Sequence, residues 1–365
     1  MGNQRGLSIA LGAICTAAVA VAQAPPSIVN GNVQQRAVTS SLNAEFGALV
    51  KAQAAPAWIG YAVPAVSGEH DECCYSADAG GSGRFCGQCR LEDGNESFST
   101  NSSRRTFHLE SQDLLVMFRA DNHAVGKIRT FSENCELDAG GRTVYWLTGV
   151  DPAESVALLA SLVKGSAPDL ESDGDQNRII DGAVAAIALH AAPEADAALR
   201  GLVATGQPEK LRERAAFWMA AARGKSGFDT LKSLAKADRD DDFRQKLMFD
   251  ISVSKEPGSV DALIDSAHND ASPRVRGQAI FRLAQKAGKK AEGAITEAIE
   301  RDPETEVKKK AVFALSQLPK EQGLPLLIQI ARSNSNPVVR KDAMFWLGQS
   351  NDPRALEFFE QVLGR

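Results

Sequence analysis

The sequence predicts an α + β protein of several domains, with a C-terminal α-solenoid of six 32-residue helical hairpins behind a small strand-rich, cysteine-containing domain. Three observations carry that reading. The chain superimposes on itself over residues 174–365 at a shift of 32, without a gap. Five of its six cysteines fall between positions 73 and 135, inside a Gly-rich stretch of short apolar runs. The first 22 residues have the form of an export signal. With 44% hydrophobic and 24% charged residues the chain can bury a core, and a formal charge of −5 gives no broad attraction to nucleic acid or anionic lipid.

Residues 1–22 combine Arg5, an apolar stretch over 6–22 and a cleavable Ala20-Val21-Ala22. The competing membrane anchor is only marginally long enough and runs into Pro25-Pro26. Cys15 follows Ile14 where a lipoprotein signal wants a small residue, so it is expected to leave with the cleaved peptide. Residues 23–58 then read as an N-terminal helix and linker, since Val38, Leu42, Phe46 and Val50 recur at helical spacing over 34–52. Over 59–150, apolar runs at 107–109, 114–118, 125–131 and 144–147 predict a small antiparallel sheet. Residues 151–173 hold a capping helix, with Asp151 as N-cap and Pro152 at its first position, followed by an acidic linker over 165–174.

Within 174–365 one column holds Phe217, Phe249, Phe281, Phe313 and Phe345, a second holds Ala183, Ala215, Leu247, Ala279, Ala311 and Ala343, and a third holds Ile187, Met219, Ile251, Leu283, Leu315 and Leu347. These place an apolar stripe on the first helix of each repeat. Leu199, Leu231, Leu263, Ile295, Leu327 and Phe359 mark the second helix. A lone hairpin of this size cannot bury both faces, so neighbours must stack into one core. The expectation is that the Phe column fills the space between layers and that the second helices line the concave side. The first repeat is atypical, with Ala185 in place of Phe and Ile180 in place of a basic residue, so the helix after Asp151 is expected to cap it through Leu159, Leu162 and Val163.

Each first helix opens with a basic signature, in Phe243-Arg244, Val275-Arg276, Val307-Lys308 and Val339-Arg340, the last three after Pro273, Pro303 and Pro337. With Asn336-Pro337-Val338-Val339-Arg340 leading to Ala343 and Leu347, the last half of the chain resembles HEAT repeats, in particular the short HEAT-like repeats first named from phycobilisome lyases. That resemblance implies the solenoid and says little about activity. Deoxyhypusine hydroxylase, a HEAT protein holding two irons, uses His-Glu pairs on successive repeats. Here His190 and His268 are followed by Ala191 and Asn269, so both read as surface helix residues.

In an oxidising compartment Cys73, Cys74, Cys86, Cys89 and Cys135 are disulfide candidates, with one left over and no connectivity fixed by sequence. The alternative is zinc, because His70, Cys73, Cys86 and Cys89 form two ligand pairs separated by 12 residues. Cys86-Gly87-Gln88-Cys89 also has redox spacing, but a Gly-rich turn precedes it where a thioredoxin-like site needs a buried strand. Lys308-Lys309-Lys310 has acids nearby and reads as a solvated face. Trp218 and Trp346 share one column, either as core or as a binding hot spot. The function expected is a non-catalytic, exported scaffold with no cofactor, binding protein partners rather than nucleic acid, and without a membrane span once the signal is cut.

Overall fold

The computed structural model describes residues 24–67, 74–76, 84–86, 89–92, 113–133, 135–166 and 175–364. Its strands are β1 (Ile28–Val29), β2 (Asn32–Ala37), β3 (Ala57–Pro64), β4 (Cys74–Ser76), β5 (Arg84–Cys86), β6 (Cys89–Arg90), β7 (Asp113–Asp121), β8 (Ala124–Ser132), β9 (Leu137–Asp138) and β10 (Thr143–Thr148). The main sheet has five strands in the order β2-β10-β3-β7-β8, with a three-stranded sheet β1-β9-β6 and the pair β4-β5 beside it. Within the main sheet the antiparallel expectation holds only for β3-β7-β8, because β10 runs parallel to both β2 and β3, while β4 and β5 pair antiparallel apart from it. The run at 107–109 lies outside the described residues.

β3 is apolar along its whole length because both faces are covered. Ile59, Tyr61 and Val63 belong to one core, and Trp58 and Ala62 to a second core with Met117 and Trp146. Gly60 lies between the two rows of the second core. A Cβ there would sit 2.3 Å from Met117 Sδ, so a larger residue would displace Met117. Asn122 and His123, with φ of 48° and 63°, make the two-residue turn of the β7-β8 hairpin, the left-handed pair that matches strand twist.

The single helix expected over 34–52 is two elements. β2 pairs its backbone with β10, and α1 (Leu42–Ala52) starts only after Ser41, whose Oγ accepts the amide N–H of Ala44 at 3.3 Å. Leu42, Phe46, Leu49 and Val50 are buried. Val38 fell on their period by coincidence, while the mostly exposed β2 is held by its ladder rather than by its side chains.

α2 (Pro152–Ser166) is capped by Asp151, whose Oδ1 accepts from the amides of Ala153 and Glu154 at 2.8 and 3.1 Å. It packs on the first repeat with Leu158, Leu159 and Val163 buried. Six hairpins follow. The first helices are α3 (Asp175–Leu189), α5 (Glu209–Ala222), α7 (Asp241–Val253), α9 (Pro273–Ala287), α11 (Thr305–Ser316) and α13 (Pro337–Gln349). They alternate with α4 (Glu194–Val203), α6 (Gly224–Ala237), α8 (Ser259–Asn269), α10 (Lys289–Arg301), α12 (Lys320–Ser333) and α14 (Pro353–Leu363). The Ala and Leu columns of the first helices are fully buried, and one contiguous apolar core runs from Leu42 in α1 to Phe358 in α14. In the last hairpin Phe358 takes the core position and Phe359 is only partly covered.

Two expectations about the array are corrected. Successive first helices lie against one another from α3 to α13, while successive second helices touch far less, so the first helices form the inner side of the curve. The small Ala column permits that close approach. The Phe column is not interlayer packing either: Phe217, Phe249 and Phe345 are 37%, 40% and 54% exposed. The Ala and Leu columns already close the core, and the Phe position, two residues after the Ala, points to the inner surface.

The front domain is joined to the array by backbone and side chain together. The amide of Val66 donates to Leu189 O at 2.7 Å and that of Ala191 to Pro64 O at 2.8 Å. A Cβ on Gly182 of α3 would lie 2.3 Å from the carbonyl oxygen of Ile128, so β8 sits flush on α3. This contact explains the absent aromatic in the first repeat, where the sheet covers what is elsewhere open inner surface. His190 is fully buried rather than a surface residue.

Candidate functional site

From the second repeat to the sixth, the inner face carries a rail of aromatic rings. The Phe217 and Phe249 rings are nearly parallel at 6.3 Å, and Trp218 meets Phe217 edge-on at 5.8 Å. The guanidinium of Arg282 lies 4.7 Å from the Phe249 ring centre and 5.3 Å from that of Phe281. Phe281 stacks on Phe313 at 5.7 Å, Trp346 follows at 4.8 Å, and Phe345 ends the rail 5.1 Å from Trp346. The 32-residue period makes the rail, since each helix presents the same position to the same side. Exposed aromatic surface of this kind is not a requirement of core packing.

Between α3 and α9 the rail borders a groove of about 580 Å³, lined by Phe217, Trp218 and Phe249 together with Asp181, Glu213, Arg214, Lys246, Asp250 and Arg282. Most of these charges are matched. Arg214 Nε is 2.6 Å from Asp181 Oδ1, and Lys246 pairs with Glu209 at 2.9 Å and with Glu213. Asp250 is different. It is 5% exposed, lies beyond ion-pair distance of Arg282, and no side chain among the described residues donates a hydrogen bond to it. Burial, with the like charge of Glu213 added and Arg282 opposing, pushes its carboxyl up to about 7. Burial likewise holds Arg282 below the usual guanidinium range; its Nη1 donates to Gln285 Oε1 at 2.8 Å, and its Nε is buried with no partner.

Charge also changes along the inner face. One column reads Asp181, Glu213, Gln245, Gly277, Lys309, Lys341, acidic beside the sheet and basic toward the chain end. Lys309 bonds Glu306 at 3.1 Å, within the solvated face expected for that lysine run.

The other sequence candidates are scattered. His268 Nε2 is 3.6 Å from Glu297 on the outer side. His190 Nε2 meets the Ser155 hydroxyl at 2.8 Å and its Nδ1 meets Ala186 O at 2.6 Å, so both ring nitrogens are used internally. His70 and Cys73 lie outside the described residues. Cys74 and Cys86 stand opposite each other in the β4-β5 ladder, Cys89 begins β6, and Cys135 is buried and disulfide-bonded. Among the described residues the one cluster of potential metal ligands is Asp240, Asp241 and Asp242, which Arg274 already engages through the last two.

Asp250 and the exposure of the rail were missed in the sequence. A signal existed: the column after the Phe holds Trp218, Asp250, Arg282, Ala314 and Trp346, and a column that admits both Asp and Arg cannot face a dry core.

Residues 260–347 and 294–365 match the family described as HEAT repeats, so the C-terminal region is built of them. No curated protein matches the chain. Among solved structures, it is similar to the complex of CpcE and CpcF of phycocyanin lyase from Nostoc sp. PCC7120, at 23% identity and a TM-score of 0.32 over 41% of this chain and 98% of that one. It is also similar to human deoxyhypusine hydroxylase in complex with glycerol, at 14% and 0.26 over 55% and 92%. The E. coli protein YibA gives 16% and 0.33 over 57% and 80%. Among the described residues no helix is long and apolar enough to cross a membrane.

Proposed function

We propose that the protein is an exported, non-catalytic scaffold that holds a protein partner along the inner face of its HEAT-repeat array. The observation that carries this reading is the rail of exposed rings, because a monomer gains nothing in stability by leaving Phe217, Phe249 and Phe345 in contact with water. A bound partner would cover them, and large aromatics are the residues on which interface energy concentrates. The salt-bridged charges beside the rail supply a polar rim and a direction, acidic at the sheet and basic toward the last repeat. Export is supported by the signal-like residues 1–22 and by the disulfide at Cys135, a bond that persists outside the reducing cytosol.

A photo-crosslinking residue in place of Phe345, set in the full chain expressed in its own cell, tests the reading. The expected result is one discrete adduct that Phe249→Ala and Phe313→Ala diminish. An adduct pattern unchanged by these substitutions, or protein recovered inside the cell with residues 1–22 still attached, would count against the scaffold and its export respectively.

A further inference from the structure

We infer that the exposed parts of the Phe217 and Phe249 rings, with the Asp250 carboxylate at the groove floor, form a pocket for an arginine side chain of the partner. The inference rests on the scaffold reading and names what one part of the inner face recognises. Its first support is the way the rail is built one step further along. There Arg282 of this chain lies between Phe249 and Phe281, at 4.7 and 5.3 Å from the ring centres, so the array already uses a planar cation between two of its own rings. Asp250 occupies the same repeat position one unit earlier. At that step two near-parallel rings at 6.3 Å have a carboxylate beside them where the next step has a guanidinium. Here the two rings stack on each other, so a guest guanidinium would not enter between them but would pair with Asp250 from the groove, against the exposed part of Phe217.

The second support is the state of Asp250. Asp250 is 5% exposed and takes no hydrogen bond from a side chain among the described residues, and its oxygens are not sealed from the groove, so they are open to a donor from a guest. The other groove charges do not compete for a guest in the same way. Arg214 has Asp181, Lys246 has Glu209 and Glu213, and Arg282 is turned toward Gln285. Arginine fits better than lysine because its flat fork can lie on a ring face while pairing with a carboxylate side-on.

The charged groups facing Asp250 are Glu213 from α5 and Arg282 from α9, with Lys246 on its own helix and Asp181 and Arg214 across the groove. A guest cation favours the ionised form of Asp250, so arginine binding should strengthen as pH rises from 6 to 8.

Calorimetric titration of the full chain with N-acetyl-arginine N-methylamide, its uncharged citrulline counterpart and the lysine analogue tests the pocket. The expected result is saturable 1:1 binding of the arginine amide, at least about tenfold tighter than the citrulline compound and lost in Asp250→Asn and Phe217→Ala. Lys225→Ala, exposed on α6 and outside the groove lining, should bind as the parent does. Equal binding of arginine and citrulline amides, or full binding by Asp250→Asn, would overturn the pocket. If Asp250→Asn leaves the Phe345 crosslink intact, the pocket fails and the scaffold stands. If the arginine amide binds but no partner crosslinks, the scaffold fails and the pocket stands.

Discussion

Arg276 and Asp302 are joined by two parallel hydrogen bonds, Nε to Oδ2 at 2.7 Å and Nη2 to Oδ1 at 3.0 Å, in a region where both side chains are under a tenth exposed. The arginine opens a first helix, and the aspartate, 26 residues later, ends the second helix of the same repeat. Asp302 Oδ1 also accepts the amide of Glu304 at 2.9 Å, and Arg276 Nη1 reaches back to Asp270 O at 3.0 Å. Arg244 with Asp270, and Arg212 with Asp238, repeat the pairing. Each arginine therefore ties the loop before its hairpin to the loop after it.

Removing one member leaves the other buried and uncompensated, so Arg276→Ala should destabilise the chain by about 3–5 kcal/mol, read from urea unfolding. Arg274 is the control. It pairs with Asp241 and Asp242 but is about half exposed, and its alanine variant should cost under about 1 kcal/mol. Equal losses at the two positions would show that the buried clamp carries no special weight.

The open Phe column gives a second contrast within one helix. Phe345 is 54% exposed and Leu347 1%. Phe345→Ala should change stability by under about 1 kcal/mol, whereas Leu347→Ala should cost about 2–5 kcal/mol. If Phe345→Ala unfolds the last repeat as readily as Leu347→Ala, the rail is core after all.

The repeat made the array legible because a strict period repeats the same burial demand six times, and the Ala183 and Ile187 columns met it. Direction within a column was harder. Phe is apolar enough to be assigned inward by composition alone, and only its neighbours Asp250 and Arg282 betray an open face. In the front domain β7, β8 and β10 were legible as apolar runs, but β2, expected as helix, β3 and the pairing were not, because β2 and β10 join through backbone bonds across a long separation that leaves no periodic trace. The Arg276 column was seen as a signature without its partner, because the aspartate stands in the next repeat unit's start motif. His190 misled for a different reason: its partner Ser155, and Tyr61 bonded to Ser155 in turn, come from separate segments.

Tyr61, Ser155 and His190 form one buried chain, with the Tyr61 hydroxyl 2.7 Å from Ser155 Oγ. Since Ala186 O can only accept, His190 carries its proton on Nδ1 and takes the Ser155 proton on Nε2, which makes it neutral. Burial, aided by Arg223, lowers its pKa from 6.5 to about 4. A group depressed on folding stabilises above its unfolded pKa and loses that contribution as pH falls toward the folded one. The loss between pH 6.5 and 4 should reach about 3 kcal/mol at this residue. His190→Gln should flatten that part of the stability profile, and the junction between sheet and array should be the first region to gain hydrogen exchange in the parent at pH 4.5. A parent profile flat from pH 7 to 4.5 would refute the assignment.

Asp250 titrates with the opposite sign. Its folded pKa of about 7 stands above the unfolded 3.8, so the native state keeps its proton longer. Stability is fully present below about pH 4 and declines as pH rises through 7, by up to about 4 kcal/mol for a gap of roughly three units. Asp250→Asn cannot ionise and should therefore be no more stable than the parent at pH 4 but clearly more stable at pH 8, in paired urea titrations. A charge that costs stability at neutral pH, where asparagine would not, is a candidate for a role beyond folding. The same substitution thus separates two explanations. Gained stability together with lost arginine binding identifies the carboxylate as a functional charge, whereas unchanged stability at pH 8 would mean that solvent already satisfies it and that the groove floor is wet.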